Sequence, residues 1–217
     1  IKLLVLGCNP LARDIKTSRT ALYIAIEFGK VEIAKEIYRR NPNLNIDAPL
    51  TSEKDKFTAV HVATRYHRVD SLTFLLSGDP SLSSRKADIN ILEKEFGYTP
   101  LMVAAIFNNY ELAHLLMKAG ANVTPACSYV FYRGRTAAYI AAEHGHWPLL
   151  SCMRNYGLNL DGNISEHMKV TLLHVACQYR QTLVVKRLLE AGVDVNACEN
   201  AGGGYTPLMR CCLENAT

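Results

Sequence analysis

The residues of this chain best equipped for chemistry are its seven histidines and seven cysteines. His61 and His174 each stand three positions after a threonine, Thr58 and Thr171, at the opening of an apolar helical pattern. No acid or nucleophile recurs at a fixed spacing from either, so neither reads as a general base, and a structural role is expected. His144 and His146 flank a glycine, with Cys152 and His167 further along. Zinc sites pair their ligands at tight spacing from both halves of a loop, and without that pairing no metal is expected. Cys211-Cys212 falls in a helical run and reads as packing. Gly202-Gly203-Gly204 has no following lysine and helix signature, so it reads as a turn and not a phosphate loop. No cofactor is expected and the chain reads as non-enzymatic, because nothing supplies a convergent nucleophile, base and oxyanion donor.

Among the elements that carry these residues, one pattern recurs. It is Thr171-Leu-Leu-His174-Val-Ala176, then an apolar helix closed by Leu188, Leu189, Gly192, Asp194 and Asn196. Further copies start at Thr20-Ala-Leu-Tyr-Ile-Ala25, Thr58-Ala-Val-His61-Val-Ala63, Thr99-Pro100-Leu-Met-Val-Ala-Ala105, Thr136-Ala-Ala-Tyr-Ile-Ala-Ala142 and Thr206-Pro207-Leu-Met209. These copies resemble the ankyrin repeat, with its T-P-L-H-x-A-A opening and G-A-D-V-N exit. The resemblance implies an all-α solenoid of helix-turn-helix units with long finger loops, in which one unit alone cannot bury its apolar stripe. A single array over residues 1–217 is expected. It divides into a partial repeat at 1–16, repeats at 17–54, 55–95, 96–132, 133–167 and 168–202, and a partial repeat at 203–217. Both ends fall inside a repeat, so a longer parent protein is expected.

In the first full copy, Leu22, Ala25 and Ile26 share one face of Ala21–Phe28, and Ile33, Ala34 and Ile37 are expected to point inward from Val31–Arg40. Small residues such as Ala63, Ala104, Ala141 and Ala176 let first helices lie close, while second helices carry bulky Leu, Ile and Met. That difference in thickness predicts a curved stack with first helices and turn tips on the concave side. The resemblance places His61 and His174 where the ring joins hydrogen bonds between neighbouring turns. Tyr23, Met102, Tyr139 and Met209 take that position elsewhere, and a looser linkage is expected there.

Bulk properties bound the function. Apolar content of 49% with 20% charge is that of a packed protein, and a net charge of +4 does not point to nucleic acid. Seven cysteines without regular spacing argue against a disulfide framework and for an intracellular location, cytoplasmic or nuclear. No stretch approaches the roughly 18 apolar residues that span a bilayer, so no membrane insertion by this segment is expected.

The threonines lie 38, 41, 37, 35 and 35 residues apart, against about 33 in the family. The excess falls before each next threonine, giving long fingers at Asn45–Phe57, Ser83–Tyr98 and Val123–Arg135. Lys54, Lys56 and Phe57 end the first of these fingers and Tyr98 ends the second. Tyr129, Phe131, Tyr132, Arg133 and Arg135 make the third aromatic and basic. Tyr and Arg concentrate binding energy at interfaces, although aromatics in loops this long also fold back to cover neighbouring units. An aromatic recurs before each inter-helix turn, at Phe28, Tyr66, Phe107, His144 and Tyr179. Arg65, His67, Arg68, Asn108, Asn109, Glu143, Arg180 and Gln181 lie near these turns. A protein or peptide partner, acidic or phosphorylated, is therefore expected on the concave face and fingers, alongside other domains of the same chain. The alternative is a ligand-sensing array, with Trp147 and Tyr156 in its pocket, that regulates an attached catalytic or channel domain. The exit Asp194-Val-Asn196 also resembles the pattern in which the family's asparagine is hydroxylated, which makes Asn196 a candidate for that modification.

Overall fold

A computed structural model describes residues 9, 12–16, 18–50, 57–82, 85–127, 134–164, 169–199 and 204–215. The chain divides into two compact units, Ile1–Val103 and Ala104–Thr217. The first holds helices α1 (Ala21–Glu27), α2 (Val31–Arg40), α3 (Ala59–Arg65) and α4 (Val69–Ser77), with a 3-10 turn at Pro80–Leu82. Helix α5 (Pro100–Ile106) crosses the division, and the second unit continues with α6 (Tyr110–Lys118), α7 (Ala137–Glu143), α8 (Trp147–Arg154), α9 (Leu172–Gln178), α10 (Thr182–Glu190) and α11 (Pro207–Asn215). Among the described residues β structure is limited to isolated bridges such as Ala126 with Thr136, so the class is all-α.

Short first helices alternate with longer second helices, and each kind packs on its own kind. In the first unit α1 lies on α3 and α2 on α4; in the second, α9 lies on both α7 and α11 and α8 on both α6 and α10. The alanines permit this closeness, since Ala59, Ala63, Ala138, Ala141, Ala142 and Ala176 expose no surface. Ile33 departs from expectation. It is 37% exposed, and α2 instead buries Ala34, Ile37 and Tyr38, with the Tyr38 ring 6.2 Å from that of Phe74 on α4. The apolar stripe is thus rotated toward the side that α4 covers.

Threonine starts the helices. The hydroxyls of Thr20, Thr99 and Thr136 accept the N–H of the third helical residue, Tyr23, Met102 and Tyr139, at 3.1–3.2 Å. Each finger then closes on the residue before the threonine: the carbonyls of Phe57, Tyr98, Arg135, Val170 and Tyr205 accept the N–H groups of Leu50, Glu93, Cys127, Ile164 and Glu199. In the finger ending at Tyr98 the buried Glu93 carboxylate also accepts the N–H groups of Glu95, Phe96 and Tyr98, which folds the tip onto itself.

Every turn from first to second helix has the same form. Lys30, Arg68, Asn109, His146 and Gln181 donate their N–H to the carbonyls of Ala25, Ala63, Ala104, Ala141 and Ala176, five residues back. This bond requires a left-handed residue just before the donor. Gly29 and Gly145 supply it at φ 66° and 77°, but His67, Asn108 and Arg180 occupy it at 55°, 52° and 56°. A side chain costs roughly 1 kcal/mol in that conformation. Replacing His67→Gly should therefore raise unfolding stability by about 0.5–1 kcal/mol, read as a higher urea midpoint. Gly145→Ala should lower it, since the added methyl would also collide with the Gln181 side chain.

Candidate partner-binding site

The unit Ile1–Val103 gathers several expected site residues around one link between helix pairs. His61, fully buried at the start of α3, uses both ring nitrogens. A carbonyl can only accept, so Nε2–H donates to Tyr98 O at 3.0 Å, which leaves Nδ1 to accept the Thr58 hydroxyl at 2.9 Å. The imidazole thereby ties the start of one helix pair to the finger of the next, as the sequence reading expects, and has no atom left for proton transfer. His174 repeats the arrangement with Thr171 and Tyr205 O. Burial pulls His61 down from 6.5 to about 4, with its backbone partners opposing.

Tyr23, where looser linkage is expected, makes a different connection. Its hydroxyl shares a 3.1 Å hydrogen bond with Tyr66, the aromatic before the next turn, and the two rings meet edge to face. Burial, then the Tyr66 hydroxyl, raise the Tyr23 pKa well above the phenol range. The Arg19 guanidinium lies 4.9 Å from the centre of the Tyr23 ring and pairs with Glu27 at 3.0 Å. The Ala104–Thr217 unit contains the same assembly. Tyr139 and Tyr179 share a 3.4 Å hydrogen bond, and Arg135 lies 5.2 Å from the Tyr139 ring and 3.2 Å from the Glu143 carboxylate. Sequence reasoning missed Glu27 and placed Glu143 only among the variable positions near a turn. Their signal is a shared pattern eight residues long after its arginine, Arg19-Thr-Ala-Leu-Tyr-Ile-Ala-Ile-Glu27 against Arg135-Thr-Ala-Ala-Tyr-Ile-Ala-Ala-Glu143.

The remaining candidates divide by exposure and engagement. Phe57 is buried, 5.8 Å from the His61 ring, which is the covering role open to a finger aromatic. Arg65 is exposed, with its guanidinium 5.4 Å from the Phe57 ring and 5.8 Å from Tyr66. His67 is exposed at the turn tip, whereas Arg68 points back and donates Nε–H to Glu27 O at 2.6 Å. Gln181 does the same in the second unit, where its side-chain amide donates to Glu143 O at 2.7 Å. Tyr98 is half-buried and stacks on Phe96 at 5.7 Å. Phe107, Asn108 and Arg180 are exposed, while Asn109 and Tyr179 are half-buried. Asn196 is exposed, and its N–H is held by the Asp194 carboxylate at 2.9 Å. Lys54, Lys56, Tyr129, Phe131, Tyr132 and Arg133 lie outside the described residues.

The recurring pre-turn aromatics do not stack on one another in the ring pairs described within either unit. Tyr66 and Tyr179 instead meet the tyrosines Tyr23 and Tyr139 at helix starts. Tyr156, considered for a small-molecule pocket, packs edge-on against His114 at 5.9 Å. An open cleft of about 620 Å³ lies elsewhere, between α2 and α4, over Ile33 and Phe74. Among the described residues no group of three or more His, Cys, Asp or Glu is placed to hold a metal ion, and no helix is long and apolar enough to cross a membrane.

Comparison with known proteins agrees with this geometry. A family model described as ankyrin repeats (3 copies) matches residues 1–86 and 80–160, and one described as ankyrin repeats (many copies) matches 173–216. The chain belongs to the ankyrin-repeat family. Ankyrin repeats generally serve as protein-protein interaction modules. Its relatives include a probable E3 ubiquitin-protein ligase, XBOS31, of Oryza sativa subsp. japonica, 29% identical over 69% of this chain and 30% of that protein. The putative ankyrin repeat protein FPV031 of fowlpox virus is also 29% identical, over 71% of this chain and 43% of its own length. Transient receptor potential cation channel subfamily A member 1 of Homo sapiens is 27% identical over 83% of this chain and 15% of the channel. The chain thus spans less than half the length of these relatives. The crystal structure of the human ASB11 ankyrin repeat domain superposes with a TM-score of 0.63 at 21% identity, covering 89% of this chain and 77% of that one, and shows the shared solenoid fold.

Two outcomes follow from the links between ankyrin repeats. The unfolded chain takes up a proton on His61 near pH 6.5 and the folded chain only near 4, so stability is full above pH 6.5 and falls toward pH 4, by about 3 kcal/mol. Urea unfolding across that range should show a shallower pH slope for His61→Gln. Tyr23→Phe and Tyr139→Phe should each cost about 1 kcal/mol in the same measurement by removing the shared hydroxyl bond.

Proposed function

We propose that this array recognises a negatively charged segment of a partner protein, acidic or phosphorylated, through the turn tips and finger bases of its repeats. The observation that carries the reading is the Arg65 guanidinium, exposed at the end of α3 and resting on the rings of Phe57 and Tyr66. A guanidinium supported by aromatic faces loses little freedom on binding, and its planar fork of donors matches the geometry of carboxylate and phosphate. His67 and Lys30 add exposed cationic or ionisable groups at the adjoining turn tips. In the second unit Arg180, Asn108 and Phe107 are the exposed counterparts, and Arg180 and Asn108 sit on left-handed backbone. Arg68 and Arg135 bond within the array itself, Arg68 to the Glu27 carbonyl and Arg135 to the Glu143 carboxylate. Lys54, Lys56 and the run Tyr129–Arg133 belong to the same proposal from sequence alone.

This reading makes the segment a non-catalytic module that acts through its partner. A cytoplasmic or nuclear setting suits it, since the described cysteines are free thiols. Regulation of an attached catalytic or channel domain is the second reading, supported by relatives named as a ligase and a cation channel in which the matched region is a minor part.

The reading is tested with an array of peptides carrying phosphorylated or acidic residues beside neutral versions of each. Selected binders should be enriched in negative charge, lose affinity as salt rises from 50 to 300 mM (about a Debye length of 14 to 6 Å), and weaken at least tenfold against Arg65→Glu while that variant keeps a cooperative urea transition. Binders that are neutral, or whose affinity ignores salt, would overturn it.

A further inference from the structure

The open cleft of about 620 Å³ lies between α2 and α4, both of them whole within the first unit. It follows α4 from Asp70 in the first helical turn to Asp79 just beyond the last, with Phe74 between them. The Phe74 ring packs against the buried Tyr38, and the Lys35 ammonium lies 6.0 Å from the ring centre. That ammonium also pairs with the Glu32 carboxylate at 2.9 Å. Asp79 is fixed in place, since its carboxylate accepts the N–H and the hydroxyl of Ser81 at 2.8 and 2.6 Å. Along the cleft the carboxylates of Glu32, Asp70 and Asp79 outnumber the ammoniums of Lys30 and Lys35.

We propose that this cleft docks an extended basic segment of a partner protein, with one arginine taking the place of Lys35 over Phe74. The chain's own lysine already shows the arrangement, a cation on an aromatic face among carboxylates. A guanidinium suits it better than an ammonium, because it is planar, more weakly hydrated and stacks on rings. Asp70 and Asp79 are nine residues apart, roughly 14 Å at about 1.5 Å of rise per residue. That is the reach of about four residues of extended chain at about 3.3 Å each. Basic residues two positions before and two after the central arginine therefore meet the two acids, and alternate side chains of an extended segment share one face. The occupant is thus a strand with arginine at every second position, and acids at both ends of a cleft open along its side favour a segment over a free small cation. Arg65 is not part of this cleft, so the inference holds whichever segment the turn tips bind.

The test measures fluorescence anisotropy of a labelled Arg-Thr-Arg-Thr-Arg peptide with the whole chain, each variant first shown to keep a cooperative urea transition. Asp70→Lys should weaken binding about tenfold, while Lys35→Ala, which uncovers the ring and removes a competing charge, should tighten it about threefold. Glu190→Lys, the same charge change on an exposed site of α10, and Arg65→Glu should each leave it within about twofold. Absence of binding, an Asp70→Lys loss no larger than that of Glu190→Lys, or equal affinity for Arg-Arg-Arg-Thr-Thr would overturn the proposal. Displacement of the peptide by an equal concentration of free arginine would overturn it as well, by making the ligand a small cation.

Discussion

A pair of helices seven and nine residues long cannot keep its own apolar stripe from water, so every other feature of the chain depends on each pair being covered by its neighbour. The polar bonds at the seams fix how that covering happens. His61 clasps a threonine hydroxyl on one side and a finger carbonyl on the other, and Tyr23 reaches the tyrosine of the following pair. The His61–Tyr98 and Tyr23–Tyr66 bonds are short in space yet span 37 and 43 residues of sequence. They set the spacing at which alanines meet, and the fingers hang from the same carbonyls.

Much of this was legible in the sequence because it is local. Threonine before an apolar run, proline in the first turn of α5 and alanines at constant offsets place the helices to within a residue or so of the structure. What escaped notice is non-local. Helical periodicity identifies a face of α2, but only the position of α4 decides that Tyr38 goes under and Ile33 does not. The tyrosines at 23 and 139 looked like losses of a histidine link, because their partners belong to another repeat. Of the candidate site, the types and places of the turn-tip residues could be read, whereas their engagement could not.

Charge in the sequence proves a poor guide to charge at the surface. Glu93 folds a finger tip around its buried carboxylate, Glu199 is buried against Arg210, and Arg68 is spent on a backbone carbonyl. In each case an unpaired backbone or ionic group would be costly to bury, so the array consumes its own polar residues to hold the fingers. The third position after the threonine runs Tyr23, His61, Met102 and then Tyr139, His174, Met209. This order repeats every three copies and accounts for the arginine-tyrosine-glutamate assembly recurring once in each compact unit.

Under the proposed function, the left-handed residues at 67, 108 and 180 would bear on recognition as well as on folding. Where glycine would be the relaxed choice, the chain keeps an imidazole, an amide and a guanidinium, each on backbone whose torsions the Schellman bond has already locked. A side chain mounted this way surrenders little further entropy when something docks against it. On that reading the strain of the turns becomes preorganisation at the tips, and relaxing it to glycine would trade contact chemistry for folding free energy.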